Sequence, residues 1–219
     1  MTIALAVSGS NVTGDVPFSC ALRLPGGVVG TRSAPGVRGD LAALVAELCT
    51  ARAVAPEAVG EIVVDVGPGS YTGLRVAVTF VRFLQRFGPL RVFAVDSLAL
   101  LAARAAVPGQ RVVAVLDARR QRVHRQAFTL QDDRLVSVLA AAAVPLPQLL
   151  GELAAGDVVV VPAPLPAELR APLAAATGVT LRVESAIAAA ELFGPALPLV
   201  PAGAADLEPR YLMGSYAGE

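Results

Sequence analysis

Gly67-Pro68-Gly69-Ser70-Tyr71-Thr72-Gly73 is the stretch whose residue types and spacing could do chemistry. Glycines permit backbone angles and close approaches that a Cβ forbids, and Ser70 or Thr72 can cap a following helix. A glycine-rich turn at a helix N-terminus presents unpaired N–H groups and a positive dipole end, which together can hold an anion. Gly67, Gly69, Ser70, Thr72 and Gly73 are therefore the candidate nucleotide or phosphate contacts. The spacing matches neither common phosphate motif. Leu74 follows Gly73 where a Walker A loop needs Lys, and one residue too many separates Gly69 from Gly73 for a dinucleotide fingerprint. The competing reading is a tight connection that orients the helix and holds no ligand.

Other chemistry is thinner. All 18 basic residues are Arg, which removes a P-loop lysine, a Schiff-base lysine and a Ser-Lys dyad together. His124 is the single histidine, so no pair of histidines can hold a metal and no metal ligand set is expected; a Ser-His-Asp arrangement through it is possible on paper, but in an Arg-rich hairpin a lone strand histidine reads as solvated or packed. Arg119, Arg120, Arg122 and Arg125 form the one basic cluster, either a solvated hairpin face or a contact for an RNA backbone. Asp65, Asp96 and Asp117 fall in or at the ends of apolar runs, and no pair of them has a spacing that specifies acid–base work. Basic and acidic residues number 18 each, so the chain as a whole exerts no long-range pull on nucleic acid or membrane.

The elements that must position these residues follow from the apolar pattern. Residues 2–7 read as a strand, and 16–24 and 28–33 as a hairpin across Pro25-Gly26-Gly27. Asp40 is placed to cap a helix with Leu41, Leu44, Val45 and Leu48 on one face. The nearly continuous apolar run 61–67 suits a strand buried on both faces. A helix from about 73 to 87, a strand over 91–96 and a helix capped by Ser97 complete a first unit. After residues 107–110 the pattern restarts, with strands over 111–118, 121–130 and near 134–140, a helix near 146–155, a strand, a helix over 167–178, a strand over 179–184 and a final helical stretch at 186–194. The expectation is two α/β domains, 1–106 and 107–219, with the last segment packing back on the first.

The helix at 73–87 carries one narrow polar stripe, Arg75, Thr79, Arg82 and Arg86, on an otherwise apolar surface. A surface helix normally has a single apolar face, so the excess suggests either a helix sandwiched in its own domain or one that docks another subunit. The helix at 40–53 adds small residues, Ala42, Ala43, Ala46 and Cys49, that allow close helix–helix approach. The expected docking residues are Leu74, Arg75, Val78, Thr79, Arg82, Phe83, Arg86, Ala42, Ala46 and Cys49. No apolar run reaches the roughly 18 residues that span a bilayer. The first residues lack a basic leader, and two cysteines without C-x-x-C spacing suit a reducing compartment, so a cytoplasmic protein is expected.

Four segments together resemble the TsaB (YeaZ) family: "GPGSYTGLRVAVTFVRFLQ", "AVDSLALLA", "AVLDARRQRVHRQAF" and "LEPRYLMGS". They occur in the family's order and cover nearly the whole chain. The resemblance implies two actin-like or Hsp70-like ATPase (RNase H-like) domains with a pseudo-duplicated βββαβα pattern. It implies a non-catalytic scaffold that binds TsaD, with TsaE, in the complex that places threonylcarbamoyl on N6 of adenosine 37 in tRNAs reading codons that begin with A. The helices near 40–53 and 73–87 would pack on TsaD, which holds the metal and the adenylate. No cofactor of the chain's own is implied, and ATP or ADP at the TsaD junction stays open.

Three positions depart from the family pattern: Ser8 stands where an Asp is usual at the end of the first strand, residues 36–40 lack the usual His, and Arg122 replaces a Glu. Two rivals stand beside this reading. One is an independent ATPase or sugar-kinase-like enzyme using the Gly67–Gly73 loop on phosphate. The other is a homodimer formed through the same two helices.

Overall fold

The computed structural model describes residues 2–11, 17–27, 29–34 and 40–212. The expected strand starts at Val16 and Val28, the stretch 36–39 and the tail beyond Leu212 lie outside them. The first half runs β1 (Ile3–Ser8), β2 (Phe18–Arg23), β3 (Val29–Ala34), α1 (Leu41–Ala51), β4 (Val59–Asp65), α2 (Tyr71–Leu84), β5 (Arg91–Val95) and α3 (Ser97–Ala103). The second half repeats this order as β6 (Val112–Asp117), β7 (Arg122–Gln131), β8 (Arg134–Pro145), α4 (Leu146–Glu152), β9 (Val158–Pro162), α5 (Ala167–Ala174) and β10 (Thr180–Glu184), then a 3₁₀ turn, Ala189–Phe193.

The sheets confirm the duplication. One is ordered β5-β4-β1-β2-β3 and the other β10-β9-β6-β7-β8. In each, the first three strands are antiparallel and the fourth and fifth run parallel to the first. The fold is of the actin-like ATPase type. A short β11 (Val200–Pro201) returns to pair antiparallel with β5, so the segment after the second sheet packs on the edge of the first.

Strand alternation sorts the side chains into layers. Leu5, Val7, Ile62 and Val64 point to one side of the first sheet, where α1 and α2 cover them. Ala6, Ala21 and Val63 point to the other side, into a central core shared with α3, the 3₁₀ turn and residues such as Ala114, Phe128 and Val160 of the second sheet. Ala6 and Ala21 are directly opposed across β1 and β2. Their small side chains leave a shallow floor for the 3₁₀ turn. Val113, Val115, Val159 and Val161 face away from that core, under α4 and α5. The layers are thus helices, sheet, central helix, sheet, helices.

Local chemistry shifts several boundaries. Asp40 caps α1 as expected, its Oδ1 accepting from the amides of Ala42 and Ala43 at 2.9 and 3.2 Å. The α3 cap is Asp96, whose carboxylate accepts from Leu98 N at 2.7 Å, and not the expected Ser97. Ser97 is the first helical residue, and its hydroxyl is drawn instead to a buried acid, Asp65. The expected last helix is the 3₁₀ turn Ala189–Phe193. Among the described residues no helix is long and apolar enough to cross a membrane.

Candidate functional site

The glycine loop is built around Asp65, fully buried at the end of β4. Its Oδ2 accepts from the Ser8 hydroxyl at 2.9 Å, and its Oδ1 accepts from Gly67 N at 3.0 Å and from the Ser97 hydroxyl. Burial pushes the carboxyl above the ordinary carboxylate range, opposed by the hydrogen bonds from Ser10, Ser97, Gly67 and Ser8. Ser8 therefore acts as a brace for the loop from the end of β1. Sequence reasoning missed this cluster, although an Asp between an apolar run and a Gly-Pro-Gly turn was its signal.

Only one loop glycine needs an unusual backbone angle: Gly67, at φ +103°. Gly69 and Gly73 are required for another reason. A Cβ on Gly69 would stand 2.2 Å from the Ser10 carbonyl oxygen, and one on Gly73 would stand 2.0 Å from the Gly9 carbonyl oxygen. The connector after β1 thus lies directly on the first turn of α2. Three amides of the turn have partners, one of them on the connector. Ser70 N donates to Ser10 O at 2.8 Å, Gly73 N to Ser70 Oγ at 3.2 Å, and Leu74 N to Ser70 O at 2.9 Å. Ser70 is the N-cap of α2, and Thr72, two residues further on, is exposed.

From this anchored start α2 lays Gly73, Leu74, Ala77, Val78 and Val81 on the sheet. Its outer face presents Arg75, Val76, Thr79, Arg82 and Phe83, and Arg86 is exposed just past its end. Phe83 is 57% exposed and Phe87, just past the helix, 73% exposed, with ring centroids 4.7 Å apart in an edge-on pair. Arg82 and Arg86 make no ion pair among the described residues. Beside them α1 exposes Ala42, Ala43 and Ala46. Three expected docking residues are not on this surface: Leu74, Val78 and Cys49 are buried. Cys49 falls on the stripe Leu41, Leu44, Val45, Leu48, which turns it inward. Burial raises the Cys49 thiol and pushes Cys20 up to about 12, so both stay protonated and inert.

The C-terminal segment straps this loop. Arg210 N donates to Val66 O at 2.7 Å, the Arg210 guanidinium pairs with Asp96, and the Tyr211 ring lies 5.2 Å from that of Tyr71. Tyr71 in turn receives the Arg75 guanidinium, 5.2 Å from its ring centroid. Neither tyrosine was singled out by sequence, where helical spacing alone gave them no partner.

Burial raises the Asp96 carboxyl from 3.8 to about 6, against the pull of Arg210. The folded chain therefore binds this proton more tightly than the unfolded chain does. Its contribution favours folding at low pH and is lost as pH rises from about 4 to about 6. Asp96→Asn removes that loss while keeping a capping side chain. Urea unfolding across this range should show the variant gaining on the parent by about 3 kcal/mol from acid to neutral pH. Parallel stability curves would overturn the assignment.

The second half offers less. Arg119, Arg120 and Gln121 all have positive φ, at 68°, 51° and 57°, in a turn held by Asp117 accepting from Arg119 N at 2.7 Å. Arg125 does not join a basic patch, because it is buried and forms a forked pair with Glu152 at 2.6 and 3.1 Å. His124 is buried and its pKa falls to about 4, chiefly through burial. Where the halves meet, Ser10, Asn11, Asp117 and the 162–166 loop enclose only about 30 Å³. Asn11 closes it by exchanging hydrogen bonds with Ile187 O and N at 2.9 and 3.0 Å. That is room for about one or two waters, against roughly 300 Å³ for a small ligand pocket.

A family model described as TsaD, tRNA N6-adenosine threonylcarbamoyltransferase, matches residues 19–163. The tRNA threonylcarbamoyladenosine biosynthesis protein TsaB of Bacillus subtilis (strain 168) is 35% identical over 86 residues, which are 39% of this chain and 38% of that relative. The aligned stretch thus spans well under half of the relative's length. Two solved structures share the fold over 97% of this chain and 100% of theirs. One, described as similar to the peptidase YEAZ from Pseudomonas aeruginosa, is 26% identical with a TM-score of 0.77. The other, YeaZ from Pseudomonas aeruginosa, is 24% identical with a TM-score of 0.71.

Proposed function

The chain belongs to the family that the TsaD model describes, and within it to the TsaB (YeaZ) proteins, and from that premise we propose that it is a non-catalytic subunit of the tRNA threonylcarbamoyladenosine machinery. TsaD docks on the outer face of α1 and α2, and TsaE and tRNA join through the complex. The observation that carries this reading is the α2 surface. Its inner side is fully buried on its own sheet, yet its outer side still exposes Val76, Phe83 and Phe87 among Arg75, Arg82 and Arg86. Exposed aromatics flanked by arginines are the composition of interface hot spots.

The loop that first suggested phosphate supports docking instead. Its glycines bring the chain against itself and the Ser70 amide is bonded to the connector, so the loop fixes the direction of α2. This reading puts ATP or ADP at the junction with TsaD and not in the cleft where the two halves meet, which encloses about 30 Å³. The test mixes the purified chain with TsaD, TsaE and tRNA and scores the modified nucleoside. The chain alone should modify nothing and hydrolyse no ATP, and adding it to TsaD should give a heterodimer by light scattering. ATP turnover by the isolated chain would favour the rival enzyme, and a homodimer that excludes TsaD would sink the docking reading.

A further inference from the structure

Between Asp117 and Asp132 the chain carries four arginines and no acidic residue. Arg125 is turned inward onto Glu152, which leaves Arg119, Arg120 and Arg122 together at one hairpin tip, all exposed, as is Gln121 between them. The neighbouring strand β8 adds no acid, and Asp132 and Asp133 stand at the opposite end of β7. A chain of zero net charge thus holds a local excess of positive charge on one narrow turn.

The backbone of that turn is fixed from within. Ala118 N donates to Arg122 O, Arg122 N to Arg119 O, and Leu146 N at the start of α4 to Gln121 O, each at 3.0 Å. The Asp117 carboxylate holds Arg119 N. Three successive non-glycine residues with positive φ form a conformation that L side chains avoid, and it persists only where the surroundings impose it. Here the imposing bonds run inward while the arginines are left in solvent. A backbone ordered in advance loses little freedom when its guanidinium groups meet a partner.

Chemistry selects that partner. The planar guanidinium fork offers paired N–H donors that match phosphate oxygens. The turn exposes no apolar or aromatic residue, so it lacks the anchor that a protein interface or a bilayer surface takes hold of. Phosphodiesters repeated along a polyanion fit a short run of arginines. We propose that the turn Arg119–Arg122 grips the phosphate backbone of the tRNA and positions it without reading its sequence. This rests on the reading of the chain as a subunit of the tRNA-modifying machinery, and it uses none of the α1 and α2 surface.

The experiment titrates fluorescent tRNA with the complex of the full chain and TsaD and reads anisotropy at several salt concentrations. Combining Arg119→Gln, Arg120→Gln and Arg122→Gln should weaken binding about tenfold or more in low salt. It should also flatten the log–log salt dependence by about two to three, roughly one for each phosphate contact. Arg119→Gln alone should flatten it by about one, which carries the test if the triple variant folds poorly. Arg134→Gln is the control, exposed at the other end of the same strands and about 30 Å away at ~3.3 Å per residue, and it should change neither quantity. Light scattering reads assembly separately. If no complex with TsaD forms, the subunit reading fails, and the same titrations on the chain alone decide the turn. Parent affinity and salt dependence in both arginine variants, an equal loss from Arg134→Gln, or lost TsaE recruitment with tRNA binding unchanged would overturn the proposal.

Discussion

Gly73→Ala should unfold much of the first half of the molecule, although it adds a single methyl group. The new Cβ would stand 2.0 Å from the Gly9 carbonyl oxygen, where backbone meets backbone and no rotamer can give way. Either α2 lifts from the sheet or the connector after β1 is pushed aside. The first movement uncovers Leu74, Ala77, Val78 and Val81, and the second breaks the Ser70 N to Ser10 O bond. Costs above about 4 kcal/mol come from few mechanisms, and a forced backbone displacement in a packed core is one. That is a large part of a typical domain's stability.

Urea unfolding measures it, with Gly88→Ala as the control, since nothing lies within 4 Å of a Cβ there. The control should match the parent within about 0.5 kcal/mol or exceed it slightly. Equal stabilities for the two variants would show that the close approach does not hold. The same geometry means that Gly69→Val cannot separate a phosphate role from packing, because its Cβ would stand 2.2 Å from Ser10 O whether or not a ligand binds.

Arg82→Glu combined with Phe83→Asp should abolish assembly with TsaD while leaving the chain folded. Phe83 is 57% exposed and Arg82 makes no ion pair among the described residues, so neither holds the fold together. At an interface the pair counts differently. Truncated or reversed hot spots each cost about 2 kcal/mol or more, so the double change should weaken the complex roughly a thousandfold. Calorimetric titration against TsaD reads the affinity, and thermal unfolding of the free chain reads the fold. Undiminished binding would move the interface elsewhere. The buried neighbours Leu74 and Val78 give the contrast, because polar substitutions there should lower chain stability first and assembly only as a consequence.

These outcomes divide along what the sequence could carry. The run Glu61–Gly67 fixed a strand buried on both faces, since continuous apolar residues leave neither side for water. Asp40 and the spacing of Leu41, Leu44, Val45 and Leu48 fixed α1 and its inner face. The restart after residue 110 foretold the two matching sheets, because element order survives in the linear pattern. The four matching segments carried the family.

What opposes each residue belonged to the tertiary structure. Ser97 has the chemistry of a cap, but Asp65, distant in the chain, takes its hydroxyl and leaves the cap to Asp96. Cys49 resembles the small exposed residues around it until the helix is seated on its sheet. Gln126 becomes an orphaned acceptor only once two sheets close around it. The glycine loop is the plainest case. A phosphate and a crossing backbone both demand a missing Cβ, so Gly69 and Gly73 read alike for either. Only the fold brings the Gly9 and Ser10 carbonyls against them, because that contact is made across some sixty residues of chain by the parallel pairing of β1 with β4.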